Sequence, residues 1–169
     1  TGVYKNDYTN LLPSLLLKYK TSDDGGIRAS LTKTLSRPKY SALVANKSFN
    51  LADQEATIGD PNIKPTTSWN IDLSFDHYFK SIGMVSLGLF YKDVKNVNIE
   101  TLGYYNGEEL GLAGNKEIFE VTQNMNAYDA RVYGVEAALQ RDFGFITPAL
   151  RCLGFYGNYT YTKSTTRNY

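Results

Sequence analysis

Asp72 and Asp76 have the residue types and spacing most suggestive of acid–base chemistry. They are two carboxylates four residues apart in an alternating stretch, so they share one face of a strand. Four steps at about 3.3 Å place them roughly 13 Å apart. Paired glycosidase carboxylates stand only about 5–9.5 Å apart. The pair therefore reads as a hydrated wall rather than an acid–base couple. His77 is the single histidine and falls on the opposite, apolar face, away from serine or aspartate partners. A Ser/His/Asp triad or a histidine-based metal site has no geometry here. Cys152 is the only cysteine, which rules out an intrachain disulfide or a cysteine metal cluster. It reads as a small, semi-apolar strand residue. No glycine-rich phosphate loop appears. Asn46-Lys47-Ser48 and Asn158-Tyr159-Thr160 match the glycosylation triplet, a pattern common by chance, and Asn158 falls in a strand-like run. The expectation is a protein that is not an enzyme and has no cofactor and no metal site.

The element that positions the two aspartates is the run from Trp69 to Phe79. Trp69, Ile71, Leu73, Phe75, His77 and Phe79 alternate with Asn70, Asp72, Ser74, Asp76 and Tyr78. Successive strand side chains point to opposite faces, so this strand divides an apolar surrounding from a wet one. A soluble sheet with one wet face fits; so does a membrane barrel with lipid outside and water in its lumen. Five further segments alternate in the same way: 14–19, 27–35, 85–91, 133–139 and 153–161. None sustains a helical period, and the chain is expected to be all-β, an antiparallel up-and-down meander of about six long strands. Its wet faces carry Lys18, Arg28, Asp72, Asp76, Lys92, Glu136 and Gln140. These are the candidates for an inner wall, where charges pair across strands and with water or meet a plug or solute.

Connection lengths alternate as well. Residues 21–26, 80–83 and 142–148 are short and turn-rich. Residues 37–67 and 96–131 are on the order of 30 residues each, against a usual connection of about 4–6. Short, long, short, long puts every long loop at one end, as in outer-membrane barrels. Within the second long loop, Tyr105-Asn106-Gly107-Glu108 reads as a type I′ hairpin turn, with flanking strands extending past the membrane. Aromatic side chains band at two levels once the strands are oriented this way. Trp69, Tyr91, Tyr133, Tyr159 and Tyr161 lie toward the outer end, and Tyr19 and Phe79 toward the inner end beside Phe143 and Phe145. Aliphatic residues fill the middle. Ten steps from Trp69 to Phe79, tilted about 40°, rise roughly 25 Å, the height of a barrel's apolar band.

The composition agrees. A net charge of +1 gives no basis for nucleic-acid binding. A mean hydropathy of −0.36 and short apolar runs exclude membrane helices but not barrel strands. Fourteen tyrosines suit both strands and membrane interfaces.

Four stretches carry a resemblance. Tyr8-Thr9-Asn10-Leu11-Leu12-Pro13-Ser14 resembles a "Y-x-x-x-L-P-S" strand entry, and Thr34-Leu35-Ser36-Arg37-Pro38-Lys39-Tyr40 resembles a "T-x-S-R-P-x-Y" strand exit. Residues 59–70, reading Gly-Asp-Pro-Asn-Ile-Lys-Pro-Thr-Thr-Ser-Trp-Asn, resemble "G-N-P-x-L-K-P-E-x-S-x-N". Val132-Tyr133-Gly134-Val135-Glu136 resembles a "G-x-E" strand start. In order and spacing these are similar to TonB-dependent outer-membrane receptors. That resemblance implies a 22-stranded barrel in the full-length protein, closed by a plug. It also implies active import of a scarce extracellular solute, in a Gram-negative outer membrane. The implied partners are the lipid bilayer with its lipopolysaccharide, the TonB complex acting through the plug, and a small-molecule, glycan or siderophore-type solute.

Residues 1–169 are thus expected to be a partial barrel domain from the C-terminal half, lacking plug, TonB box, signal peptide and closing strand, and unable to transport alone. The long loops would carry the solute-contact candidates Arg37, Tyr40, Phe49, Tyr104, Tyr105 and Tyr128. Arg37 and Pro38 would end the second strand, and Gly134 would leave room for a plug or loop. Two other readings fit the alternation. One is a soluble β-sandwich binding carbohydrate or protein, with the Ile71/Leu73/Phe75 face buried against a second sheet; the other is a fragment of a passive porin.

Overall fold

The computed structural model describes residues 5, 7–80 and 82–168. Thr1-Gly2-Val3 at the start, Ser81 within a short turn and Tyr169 at the end lie outside the described residues. All eight strands belong to one curled sheet. They are β1 (Ser14–Ser22), β2 (Gly25–Ser36), β3 (Lys47–Asn50), β4 (Glu55–Ile58), β5 (Thr66–Tyr78), β6 (Gly83–Asn106), β7 (Ile118–Asp142) and β8 (Gly154–Asn168). Six of them, β1-β2-β5-β6-β7-β8, pair antiparallel with their neighbours and are the six expected strands.

Over the alternating runs, register carries the alternation across all six strands. The row Leu17–Ala29–Leu73–Leu89–Val135–Tyr161 runs through one face. The neighbouring row Leu16–Ser30–Asp72–Phe90–Gly134–Thr162 runs through the other. Because the side-chain period is two, a slip of one residue would invert every pair. The apolar face is covered by nothing among the described residues: Ile71 is 49% exposed, Leu73 45% and Leu89 52%. Apolar patches of this extent mark contact with lipid or another partner. A sandwich would have buried this face under a second sheet, and the described residues form none.

The strands are longer than the alternation suggested. β6 has 24 residues and β7 has 25, about 80 Å of extended chain, against an apolar band roughly 25 Å tall. The hairpin continues where a loop over residues 96–131 was expected, and only 107–117 connect the two strands. The apolar pattern breaks at Asn96, Asn98, Asn124 and Asn126, which hid the continuation. A register shift lies there, between Val94 and Asn98, and Asn96 has φ +54°. Asparagine tolerates that left-handed conformation better than most residues.

The expected type I′ turn at Asn106-Gly107 is absent. The Asn106 side chain instead accepts from the Glu109 backbone N–H at 2.8 Å, and Gly107 N–H donates to the Glu117 carbonyl at 2.9 Å. The wider loop lets Leu110 reach a small core of Ala56, Leu110, Phe119 and Val121. Phe49, Ile58 and Leu112 pack around it.

β3 and β4 lie in the other long connection, after a short helix α1 (Tyr40–Leu43). They form a hairpin that crosses to β7, where β4 pairs in parallel, Glu55 opposite Glu120 and Ile58 opposite Gln123. A pure meander has no such pairing. The return path, residues 59–65, is closely packed: Ile63 is 2% exposed, and a Cβ at Gly59 would sit 2.0 Å from the Val44 carbonyl oxygen. At the opposite end the turns are compact. Asp23-Asp24 joins β1 to β2, and two 3-10 turns, Phe143–Phe145 and Pro148–Leu150, join β7 to β8. Cys152 is exposed in that last connection rather than in a strand, because β8 begins only at Gly154.

Candidate functional site

The polar face of the sheet gathers five of the seven wall candidates into two clusters, with Lys18 alongside the first. In the first, the Arg28 guanidinium donates to Asp76, and the Ser86 hydroxyl donates to the other Asp76 oxygen at 2.7 Å. Strands β2, β5 and β6 supply one side chain each, all on the polar face of adjacent strands. Asp76 is 9% exposed, a burial that a carboxylate sustains because both oxygens are satisfied. Lys18 stands opposite Arg28 on β1, and these residues line a groove of about 190 Å³ with Lys20 and Tyr78.

In the second, Asp72 accepts from the Ser30 hydroxyl at 3.0 Å. Asp72, Lys92 and Glu136 line a groove of about 230 Å³ with Ser74, Gly88 and Phe90. Gln140 stands apart, opposite Met84 and Tyr156 near the short turns. Next to the second groove, Gly134 leaves room for the sheet's own Phe90: a Cβ there would meet the Phe90 ring at 2.7 Å and the Tyr161 carbonyl oxygen at 2.1 Å. The space expected for a plug or loop is therefore filled from within.

The loop candidates do not converge. Arg37 is exposed just past the end of β2, and Tyr40, 86% exposed, opens α1. Phe49 belongs to β3 and meets Phe119 edge-on at 6.2 Å, so it packs the small core instead of facing a solute. Tyr104 and Tyr105 are strand residues on opposite faces of β6. The Tyr104 hydroxyl donates to Glu120 at 3.1 Å, and the Tyr105 ring lies over Gly103. The hydrogen bond to Glu120, then its charge, then partial desolvation raise the Tyr104 pKa above the usual phenol value. Tyr128 is also in β7, opposite Val97 at the register shift, not in a loop.

On the apolar face, Tyr91 and Tyr133 are direct cross-strand partners, and Trp69 sits one pair further out, opposite Lys33 and Asp93. The Lys33 ammonium lies 5.8 Å from the Trp69 ring centre. Tyr159 and Tyr161 face Ala137 and Val135, and β8 runs on to Asn168 beyond them. Tyr19 pairs with Ile27 near the short turn of β1. Phe79 lies just past the end of β5.

Two groupings escaped the sequence reading. The first is an asparagine staple at the register shift. Asn126 accepts from the Lys64 N–H at 2.8 Å and donates to the carbonyls of Lys64 and Asn96 and to Asn98. It ties the return path to both long strands. Asparagines are poor strand formers, and Asn96, Asn98, Asn124 and Asn126 clustered at one level of the hairpin were the available signal. The second is Arg141, whose guanidinium lies 4.2 Å from the Phe79 ring centre and 4.1 Å from that of Phe145. Among the described residues, no group of three His, Cys, Asp or Glu is placed to hold a metal ion. The arrangement is a polar, hydrogen-bonded wall backed by an apolar face.

The architecture matches known barrels. In solved structures, the chain aligns with the siderophore receptor PirA of Pseudomonas aeruginosa at a TM-score of 0.69 and 19% identity, covering 94% of this chain and 29% of that one. It aligns with PirA of Acinetobacter baumannii at 0.61 and 22%, covering 90% and 23%. A mutant of the ferric enterobactin receptor PfeA of Pseudomonas aeruginosa gives 0.64 and 21%, covering 90% and 22%. The chain thus spans between about a fifth and a third of each of these receptors. No curated protein matches it in sequence. The family model for the TonB dependent receptor-like β-barrel matches residues 1–169. This chain belongs to the TonB-dependent receptor β-barrel family.

Proposed function

We propose that residues 1–169 are a stretch of barrel wall from an outer-membrane receptor that takes up a siderophore-type iron chelate by TonB-driven import. The observation carrying this reading is the two-faced sheet. Six adjacent strands keep an uncovered apolar face toward one solvent and a hydrogen-bonded Arg28–Asp76–Ser86 wall toward the other. A bilayer outside and a hydrated lumen inside satisfy both. The fold shared with two siderophore receptors and a ferric enterobactin receptor supports the solute class. The exposure of Ile71 and Leu73 weighs against the soluble sandwich.

In this reading the long-loop end, with α1, the β3–β4 hairpin and the outer half of β6–β7, faces the outside, and the short turns face the periplasm. The chain acts with the plug and remaining strands of a whole receptor. The test is growth of an iron-starved Gram-negative strain expressing the full-length receptor, with ferric siderophores as the sole iron source. Growth that depends on both the receptor and TonB is expected. Receptor-dependent growth that persists without TonB would make the barrel a passive porin, and no receptor-dependent growth on any ferric siderophore would exclude the solute class.

A further inference from the structure

Two aromatic rings, and no carboxylate among the described residues, hold the Arg141 guanidinium. Arg141 sits at the inner end of β7 on the apolar face, opposite Gly83 and Phe155. Its guanidinium is held between the rings of Phe79 and Phe145, and His77 stands edge-on to Phe79 at 5.3 Å. Its Nε is buried and has no hydrogen-bond partner, and among the described residues no carboxylate lies within ion-pair reach of it. The surrounding cleft, about 690 Å³, lies among three short turns and is also lined by Lys80 and Arg151. Its acidic residues are Asp24 and Asp142, and Asp142 is engaged by the Gly144 N–H at 2.7 Å. In its lining, Ile82 is 72% exposed and Phe145 56%, and Ile146, next in sequence to Phe145, is 63% exposed.

Ring faces attract a guanidinium but leave its in-plane hydrogen-bond donors free. Those donors suit a phosphate, which guanidinium binds in a fork. A phosphate carried on acyl chains also accounts for the exposed isoleucines and phenylalanine, which a free ion does not. We infer that this cleft binds the head-group phosphate of an anionic phospholipid in the inner leaflet, with Arg141 as its main contact and Lys80 and Arg151 beside it. The inference rests on the bilayer reading above, which puts the short turns at the inner interface.

The test uses the full-length receptor in phosphatidylcholine nanodiscs doped with phosphatidylglycerol. Native mass spectrometry then counts the lipids that remain bound after release. The wild type should retain phosphatidylglycerol over phosphatidylcholine. Arg141→Gln should lower that retention about tenfold, the loss expected for one charge-assisted contact, and Arg141→Lys should restore part of it. Equal retention by the wild type and Arg141→Gln overturns the inference. Displacement of the lipid by equimolar inorganic phosphate also overturns it, in favour of a free-phosphate site. If Arg141→Gln does not fold, Phe145→Leu decides: unchanged retention with one ring removed counts against the site. A receptor that fails to enter nanodiscs at all instead overturns the bilayer reading.

Discussion

The same two strands live under opposite rules at their two ends. Near the short turns, Val135 of β7 is 40% exposed and Leu89 of β6 is 52% exposed, with no protein over them. Past the register shift, Val121 of β7 is 1% exposed and Phe119 is fully buried. One valine lies bare and another enclosed, fourteen positions along one strand. On the reading proposed above, the inner half has lipid as its apolar surrounding and needs no core. On the same reading the outer half stands in water, and its apolar side chains are buried under protein. β4, Phe49 and the 107–117 loop provide that cover. Burial therefore changes along β6 and β7, and the Asn96–Asn126 staple lies where it changes.

The largest effect is expected in the outer core. Phe119→Ala should destabilise it by about 3–5 kcal/mol, the usual loss for a fully buried phenylalanine. In hydrogen exchange on the full-length receptor, β3, β4 and residues 107–123 should lose protection while β1, β2 and β5 keep theirs. Loss of protection spread evenly through all strands would mean that the two halves are one cooperative unit.

Next comes the uncovered apolar half, where Leu73→Arg should cost about 2–4 kcal/mol in vesicles and Asp72→Asn, on the polar face, should cost little. Denaturant titration of both variants measures the difference. Equal losses at these adjacent positions would remove the argument for different solvents on the two faces.

Asp76→Asn should cost about 1 kcal/mol, because the Arg28 side chain is half exposed and water takes over part of the lost interaction. The measurement is again unfolding in vesicles, with Ser86→Ala as the companion that keeps the ion pair. A loss at Asp76 several times larger would mean that the inner wall is much drier than a hydrated lumen.

The smallest effect is electrostatic. The Tyr104 pKa is raised by Glu120, so the hydrogen bond it reports is present below the ordinary phenol value of about 10 and is lost as pH rises through the higher folded value. Alkaline difference spectra should show one late-titrating tyrosine that disappears in both Tyr104→Phe and Glu120→Gln. A late step unchanged by Glu120→Gln would assign the shift to another cause.

Much of this was legible locally. Alternation at Trp69–Tyr78 and its five sister runs set strand identity and faces, because period two is written into neighbouring residues. The exit at Ser36-Arg37-Pro38 was legible because proline has no N–H to donate to a ladder. The outer hairpin was not, since asparagines interrupted its pattern. Phe49 was misread as a loop aromatic because nothing near residue 49 reveals Phe119. The wall partners Arg28 and Asp76 were both singled out, yet their pairing depends on the register of β2 against β5.

By itself, the sequence determined that this protein is a β-sheet with one apolar and one polar face, with its long connections at one end. That information is local and repeats every second residue. Only the tertiary structure decided which distant residues meet: β4 against β7, Asn126 against Lys64, and Arg141 between Phe79 and Phe145. Apart from Arg141 with Phe145, those contacts join residues about 60 positions apart, and no short-range pattern encodes them. They arise when loop closure and strand register bring separate segments into contact, and they hold where the apolar area or hydrogen bonds gained exceed the entropy of ordering the chain between them.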